Sequence, residues 1–211
     1  PSGCVMGLVG PNGAGKTTWM MAVAGLLRLS AGTIGLFGTS KPFDAAEHSG
    51  KLAILPQDSE LPLESTPEGF LYGLAQLQGL SAGAAKASAR KVLEAVNLAD
   101  RAKASIRSLS HGMRKRLMAA QCFLGEPDLI LLDEPMNGLD PEEAVRFRNL
   151  ILSRRAGCTV VVSSHNLADL EKFCTHVTFV RDGKVVKTAA LKDLTADGAS
   201  LEDKYLVQFK A

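Results

Sequence analysis

The sequence predicts an α/β fold: a mainly parallel sheet covered by helices, with a helical block inserted into it. Three observations carry that expectation. Short apolar runs recur at residues 4–9, 51–55, 129–132 and 159–163, and each ends in a turn or a helix start, as buried parallel strands do. Between residues 66 and 123 the apolar spacing is helical instead. The length, 211 residues, suits one sizeable domain with an insert. The expected division is a single domain over 1–211, with an α/β core at 1–62 and 124–211 and a helical subdomain at 63–123.

In order, residues 1–3 form a turn that feeds the first strand, 4–9. The loop Gly10-Pro11-Asn12-Gly13-Ala14-Gly15-Lys16-Thr17-Thr18 follows and spells G-x-x-x-x-G-K-[ST]. A polyphosphate needs donors on many sides. Glycines let the backbone curl so that successive N–H groups point inward at phosphate oxygens. Lys16 adds a full positive charge for the β- and γ-phosphates, and the Thr17 hydroxyl can bind Mg²⁺. The helix starting near Lys16 directs its positive end at the same anion. Strand, loop and helix in that order predict a RecA-like phosphate-loop NTPase core that binds ATP. Trp19, on this helix, is expected in the core.

Residues 29–32 read as a turn, 33–38 as a short edge strand and 44–48 as a helical turn. The strand at 51–55 is ended by Pro56 and followed by Gln57. Helical character begins at Thr66-Pro67-Glu68, with Thr66 as N-cap and proline in the first turn. Phe70, Leu71, Leu74 and Leu77 make its apolar stripe, and Gly79 can close it. Ser81 caps a second helix through Leu98, and Ser110 a third through Phe123. Leu129 to Leu132 resumes the sheet. Asp140-Pro141 starts another helix, and 159–163 is a β-branched strand. Two strands, 177–180 and 184–187, flank Asp182-Gly183, a hairpin signal. From Ala189 onward a helical tail is expected, with Leu201, Tyr205, Leu206 and Phe209 on one stripe.

Hydrophobic content is 46% and no apolar run approaches the ~20 residues that span a bilayer. With no secretory leader visible, a cytoplasmic protein is expected. The net charge of +2 comes without a long basic block, which argues against a nucleic-acid groove. Cys4, Cys122, Cys158 and Cys174 have no C-x-x-C spacing and no histidine cluster beside them. Reduced, buried thiols are expected rather than a disulfide frame or metal site.

Leu131-Leu132-Asp133-Glu134 places two carboxylates at the C-terminal end of a buried strand, the edge where parallel α/β sheets bind ligands. Asp133 suits Mg²⁺ held through water. Glu134 then faces the γ-phosphate as general base for water.

Leu109-Ser110-His111-Gly112-Met113 resembles the signature sequence of ABC-transporter ATPases, usually spelled L-S-G-G-Q, and departs from it at His111 and Met113. Ser110 offers a hydroxyl, Gly112 an open backbone N–H, and the helix behind them a positive end. The resemblance covers nearly the whole chain in the family's motif order. It implies that the signature acts on ATP bound by a neighbouring subunit. His165 resembles the family's switch histidine, which contacts the γ-phosphate and orients water and base. Gln57 resembles the glutamine that binds Mg²⁺ and faces the membrane partner. Gly138, Leu139 and Asp140 resemble the loop that crosses the dimer interface.

On this resemblance the chain is expected to be the ATP-hydrolysing subunit of an ABC transporter, most like bacterial exporter ATPases. Catalysis falls to Glu134, His165 and Lys16, and metal binding to Thr17, Gln57 and Asp133. The expected partners are a transmembrane permease, which holds the chain on the inner face of the cell membrane, and a like ATPase in a homodimer or heterodimer. No nucleic-acid partner is expected. Leu61 and Leu63 are expected to offer the permease an apolar contact. In the family an N-terminal segment carries the first strands and an adenine-stacking aromatic; that segment is expected to be missing here. The alternative is a soluble ABC-type ATPase of translation or DNA repair, whose relatives usually carry tandem domains, long coiled coils or zinc inserts. A phosphate-loop kinase would leave the Ser110 motif unexplained.

Overall fold

The computed structural model describes residues 2–38, 50–57, 59–154 and 157–209. Its strands are β1 (Val5–Val9), β2 (Leu52–Leu55), β3 (Leu129–Asp133), β4 (Thr159–Ser163), β5 (His176–Arg181) and β6 (Lys184–Ala190). They form one sheet in the order β2-β3-β4-β1-β5-β6. All neighbours pair in parallel except β5 and β6, the hairpin. The helices are α1 (Lys16–Val23), α2 (Pro67–Leu77), α3 (Ala82–Ala95), α4 (His111–Gln121), α5 (Pro141–Ser153), α6 (Leu167–Glu171), α7 (Leu191–Leu194) and α8 (Leu201–Phe209). Helices α2, α3 and α4 lie between β2 and β3 in sequence and pack on one another.

The sheet is apolar on both faces, which is why its strands read as continuous runs. Alternate residues divide the core in two. Val5, Val9, Ile130, Leu132, Val160, Val162, Val177 and Phe179 join the larger cluster, with Phe147 and Ile151 of α5 and Leu170 of α6. Leu8, Leu131, Val161 and Val180 face the other way and pack with Met20 and Val23 of α1. The four cysteines are buried. Burial pushes the Cys122 thiol up to about 12 and Cys158 to about 11, with desolvation of the thiolate as the leading cause in both.

The N-caps behave as expected. Thr66, Ser81, Ser110 and Asp140 each accept a hydrogen bond from the backbone N–H three residues on. Several expectations need correction. Residues 33–38 form no strand: Phe37 has φ 53° and Gly32 and Gly38 lie at 81° and 76°, which breaks an extended path. Trp19 is 40% exposed, because the buried side of α1 carries Met20 and Val23. Leu77 is 81% exposed; the inward line of α2 is Pro67, Leu71 and Ala75, spaced by four.

Helix α3 stops at Ala95 and Asn97 takes φ 55°, although Leu98 is still buried. Helix α4 ends at Gln121, two residues short of Phe123. Ala189 and Ala190 extend β6 rather than begin the tail helix. In that tail Leu201 is buried, and Tyr205 stacks on Phe209 with ring centroids 4.5 Å apart, whereas Leu206 is exposed. Leu61 and Leu63 are half-buried and pack against the larger core cluster. The expected helical turn at 44–48 lies outside the described residues. Among those residues, no helix is long and apolar enough to cross a membrane.

Candidate functional site

Because β1 to β5 run parallel, their C-terminal ends share one edge. The register sets Leu8 and Asp133 against Ser163, and Leu55 against Leu132. The segments that follow these strands therefore converge. A cleft of about 350 Å³ opens there, lined by Asn12, Gly13, Ala14, Gly15, Lys16, Thr17, Thr18, Gln57, Asp133 and Glu134.

The loop owes its shape to two glycines. Gly13 and Gly15 have φ of 79° and 95°, where an ordinary residue would be strained. The Ala14 N–H bonds the Pro11 carbonyl at 3.1 Å and closes the turn. Lys16 Nζ donates to the carbonyls of Gly10 at 2.7 Å and Pro11 at 3.0 Å. Burial lowers the Lys16 pKa, against the attraction of Glu134 and Asp133, which raises it.

Gly10 is required for a different reason. A Cβ built there would lie 2.2 Å from the Val180 carbonyl oxygen, a backbone atom that cannot swing away. Gly10→Ala is therefore expected to cost about 3 kcal/mol, the upper end of ordinary overpacking. The corresponding fall in melting temperature is about 10 °C for a domain of this size. Thermal unfolding by circular dichroism checks this; an unchanged midpoint would refute the close packing of loop and strand.

The carboxylates occupy different settings. Thr17 Oγ1 donates to Asp133 Oδ2 at 2.5 Å. The Ser163 hydroxyl donates to Asp133 Oδ1, and Ser163 Oγ accepts the Glu134 N–H at 2.9 Å. Ser163 is fully buried and so locks both acids to β4. Sequence reading missed it, although its place two residues before His165 was the available signal. Glu134 has φ 49°, strain of the kind that gathers at working sites. Its Oε2 lies 2.9 Å from His165 Nδ1. The Thr17 hydroxyl and Asp133 carboxylate, hard oxygen donors side by side, suit Mg²⁺.

The other expected residues stand apart from the cleft. Leu109 is buried, and Ser110 Oγ accepts the Met113 N–H at 3.2 Å; no residue from 109 to 113 lines the cleft. Gly138 and Leu139 line a second hollow of about 420 Å³, shared with Glu134 and His165. Asp140 spends its carboxylate on capping α5. Lys115, one turn beyond Ser110, donates to the Asn137 carbonyl and ties α4 to this loop. Arg116 Nε lies 2.9 Å from Glu143 Oε1 and ties α4 to α5, with both side chains largely buried.

Residues 1–137 match the family model described as ABC transporter. The chain is 36% identical over 200 residues to the uncharacterized ABC transporter ATP-binding protein YhcH of Bacillus subtilis, covering 92% of this chain and 64% of the relative. It is 34% identical over 188 residues to the Nod factor export ATP-binding protein I of Burkholderia orbicola, covering 87% and 61%. It is 33% identical over 193 residues to the linearmycin resistance ATP-binding protein LnrL of Bacillus subtilis, covering 89% and 61%. The chain thus spans about three fifths of the length of these relatives. A solved structure titled as the ATP binding subunit of an ABC transporter superposes with a TM-score of 0.85 at 28% identity, covering 98% of this chain and 88% of that one.

Proposed function

Since this chain belongs to the ABC transporter ATP-binding family, we propose that it hydrolyses ATP and uses the cycle to drive a separate membrane protein. The observation that carries this reading is the position of Glu134. Glu134 lines the same cleft as the phosphate loop, with its Oε2 2.9 Å from His165 Nδ1 and its own N–H held by Ser163. That neighbourhood supports Glu134 as the general base for a water attacking a phosphate. Lys16 and the loop N–H groups bind the phosphates. Thr17, Asp133 and Gln57 would hold Mg²⁺, which supplies charge neutralisation on the phosphate oxygens.

The signature residues Leu109, Ser110, His111, Gly112 and Met113 serve a second copy or a homologue. Supporting this, they lie off the cleft of their own chain and Ser110 begins an eleven-residue helix. Two chains head to tail would complete two sites, with the loop 138–140 between them. The α/β core and the inserted helical block, divided near residues 62 and 124, would move relative to each other and pull on the permease. The cytoplasmic side of the membrane follows from that partnership. Relatives named for export favour an exporter.

The test is hydrolysis and association together. Purified protein is expected to release phosphate from Mg-ATP, and to sediment as a dimer with Mg-ATP when turnover is blocked by Glu134→Gln. A monomer under saturating Mg-ATP would refute the shared site.

A further inference from the structure

We propose that the Asp182–Gly183 turn of the β5–β6 hairpin is a positioning element of the phosphate loop, setting the direction of the Gly15 N–H by holding the Ala14 carbonyl. The inference rests on reading that loop as the phosphate cradle.

One hydrogen bond and two close approaches join the hairpin to the loop. The Gly183 N–H donates to the Ala14 carbonyl at 2.9 Å. Gly183 Cα lies 3.4 Å from where a Cβ of Gly15 would stand. The Val180 carbonyl sits so close to Gly10 that a Cβ there would approach it to 2.2 Å. The β5–β6 register shifts between Phe179 and Val180. Such an irregularity re-aims the strand locally. Asp182 and Gly183 have φ of 51° and 73°, as a two-residue type I′ turn requires.

Peptide geometry supplies the consequence. Ala14 C=O and Gly15 N–H belong to one planar trans unit, so they point in opposite directions. With the carbonyl held on the hairpin side, the Gly15 N–H is aimed away from the hairpin, toward the cleft that Gly15 lines. Gly15 is also the residue least able to hold that direction alone, because glycine is the least restricted. The turn thus removes a freedom that phosphate binding would otherwise have to remove.

The test measures ADP affinity by titration calorimetry, beside thermal unfolding. One variant inserts two glycines between Asp182 and Gly183, which withdraws the N–H. A milder one is Gly183→Ala, which strains the positive φ. The control, Thr188→Val, removes the hydroxyl partner of Thr178, 3.0 Å away in the same hairpin. A conservative variant, Asp182→Asn, keeps a residue that tolerates the turn.

The insertion is expected to weaken ADP about fivefold, the worth of one net hydrogen bond. Gly183→Ala should fall between it and wild type. Thr188→Val and Asp182→Asn should bind as wild type, even where Thr188→Val lowers the melting temperature as much as the turn variants do. Wild-type affinity in both turn variants, or an equal loss in Thr188→Val, would overturn the proposal. If the insertion does not fold, Gly183→Ala against Thr188→Val decides it. A wild-type chain that binds no ADP would sink the cradle reading itself, which separates the two failures.

Discussion

Glu134→Gln is expected to cut ATP turnover by ~10²–10⁴-fold while leaving ATP binding near its wild-type strength. The amide keeps the volume and planar shape of the carboxylate, so the cleft stays intact. The backbone at this residue is held independently, by the Glu134 N–H on Ser163 Oγ, and that bond survives the substitution. What disappears is the basic oxygen that would take the proton from water. The 2.9 Å contact to His165 also becomes one to a neutral amide. On the proposed reading, binding depends on other groups: the loop N–H donors, Lys16 and Thr17. Phosphate release and nucleotide titration, measured on the same preparation, check both halves. Turnover within a few fold of wild type would remove Glu134 from the role of base, and lost binding would make it a structural residue of the cleft.

The second large effect is at the signature. Gly112→Asp is expected to abolish ATPase activity, while His111→Gly leaves it within a few fold. His111 is exposed in the first turn of α4, where no glycine conformation is needed. In the proposed head-to-tail pair, a side chain at Gly112 would crowd a γ-phosphate approaching from the other chain. The structure adds an obstacle within the chain: a Cβ at Gly112 would lie 2.9 Å from Glu143 Oε2. That oxygen belongs to a side chain held by Arg116, so it cannot withdraw freely. An aspartate would also set two carboxylates together. The two causes separate in a Glu143→Ala background, which removes the intrachain neighbour. Gly112→Asp remaining inactive there places the damage on the face toward the other chain. Recovery would mean that Gly112 is needed only for packing on α5, and equal losses at His111 and Gly112 would reverse the assignment of the two positions.

Much of the site was readable because its chemistry is local. The phosphate loop is nine consecutive residues, and its turn, glycines and helix start sit within hydrogen-bonding reach of one another. The caps at Thr66, Ser81, Ser110 and Asp140 are likewise settled within four residues, and each forms as expected. Elements that depend on a neighbour fared worse. Residues 33–38 have strand-like composition, yet positive φ angles at their end leave them irregular, packing Ile34 and Leu36 against the α1 side of the sheet. Trp19 and Leu77 satisfied an apolar expectation on helices whose inward faces are set by other residues.

By itself the sequence determined the strand, loop and helix around Lys16, the acidic pair at the end of β3, the helix starts, and the α/β alternation with its helical insert. These follow from backbone conformations and contacts a few residues long. Only the tertiary structure decided that β4 lies beside both β1 and β3, which brings Ser163 onto Asp133 and His165 onto Glu134 from about thirty residues away. It also decided that the Gly183 turn meets Ala14, and that Glu143 stands against Gly112. Such pairings depend on which strand or helix comes to lie beside which. That choice is made by burying both apolar faces of the sheet at once, and no local stretch of sequence contains it.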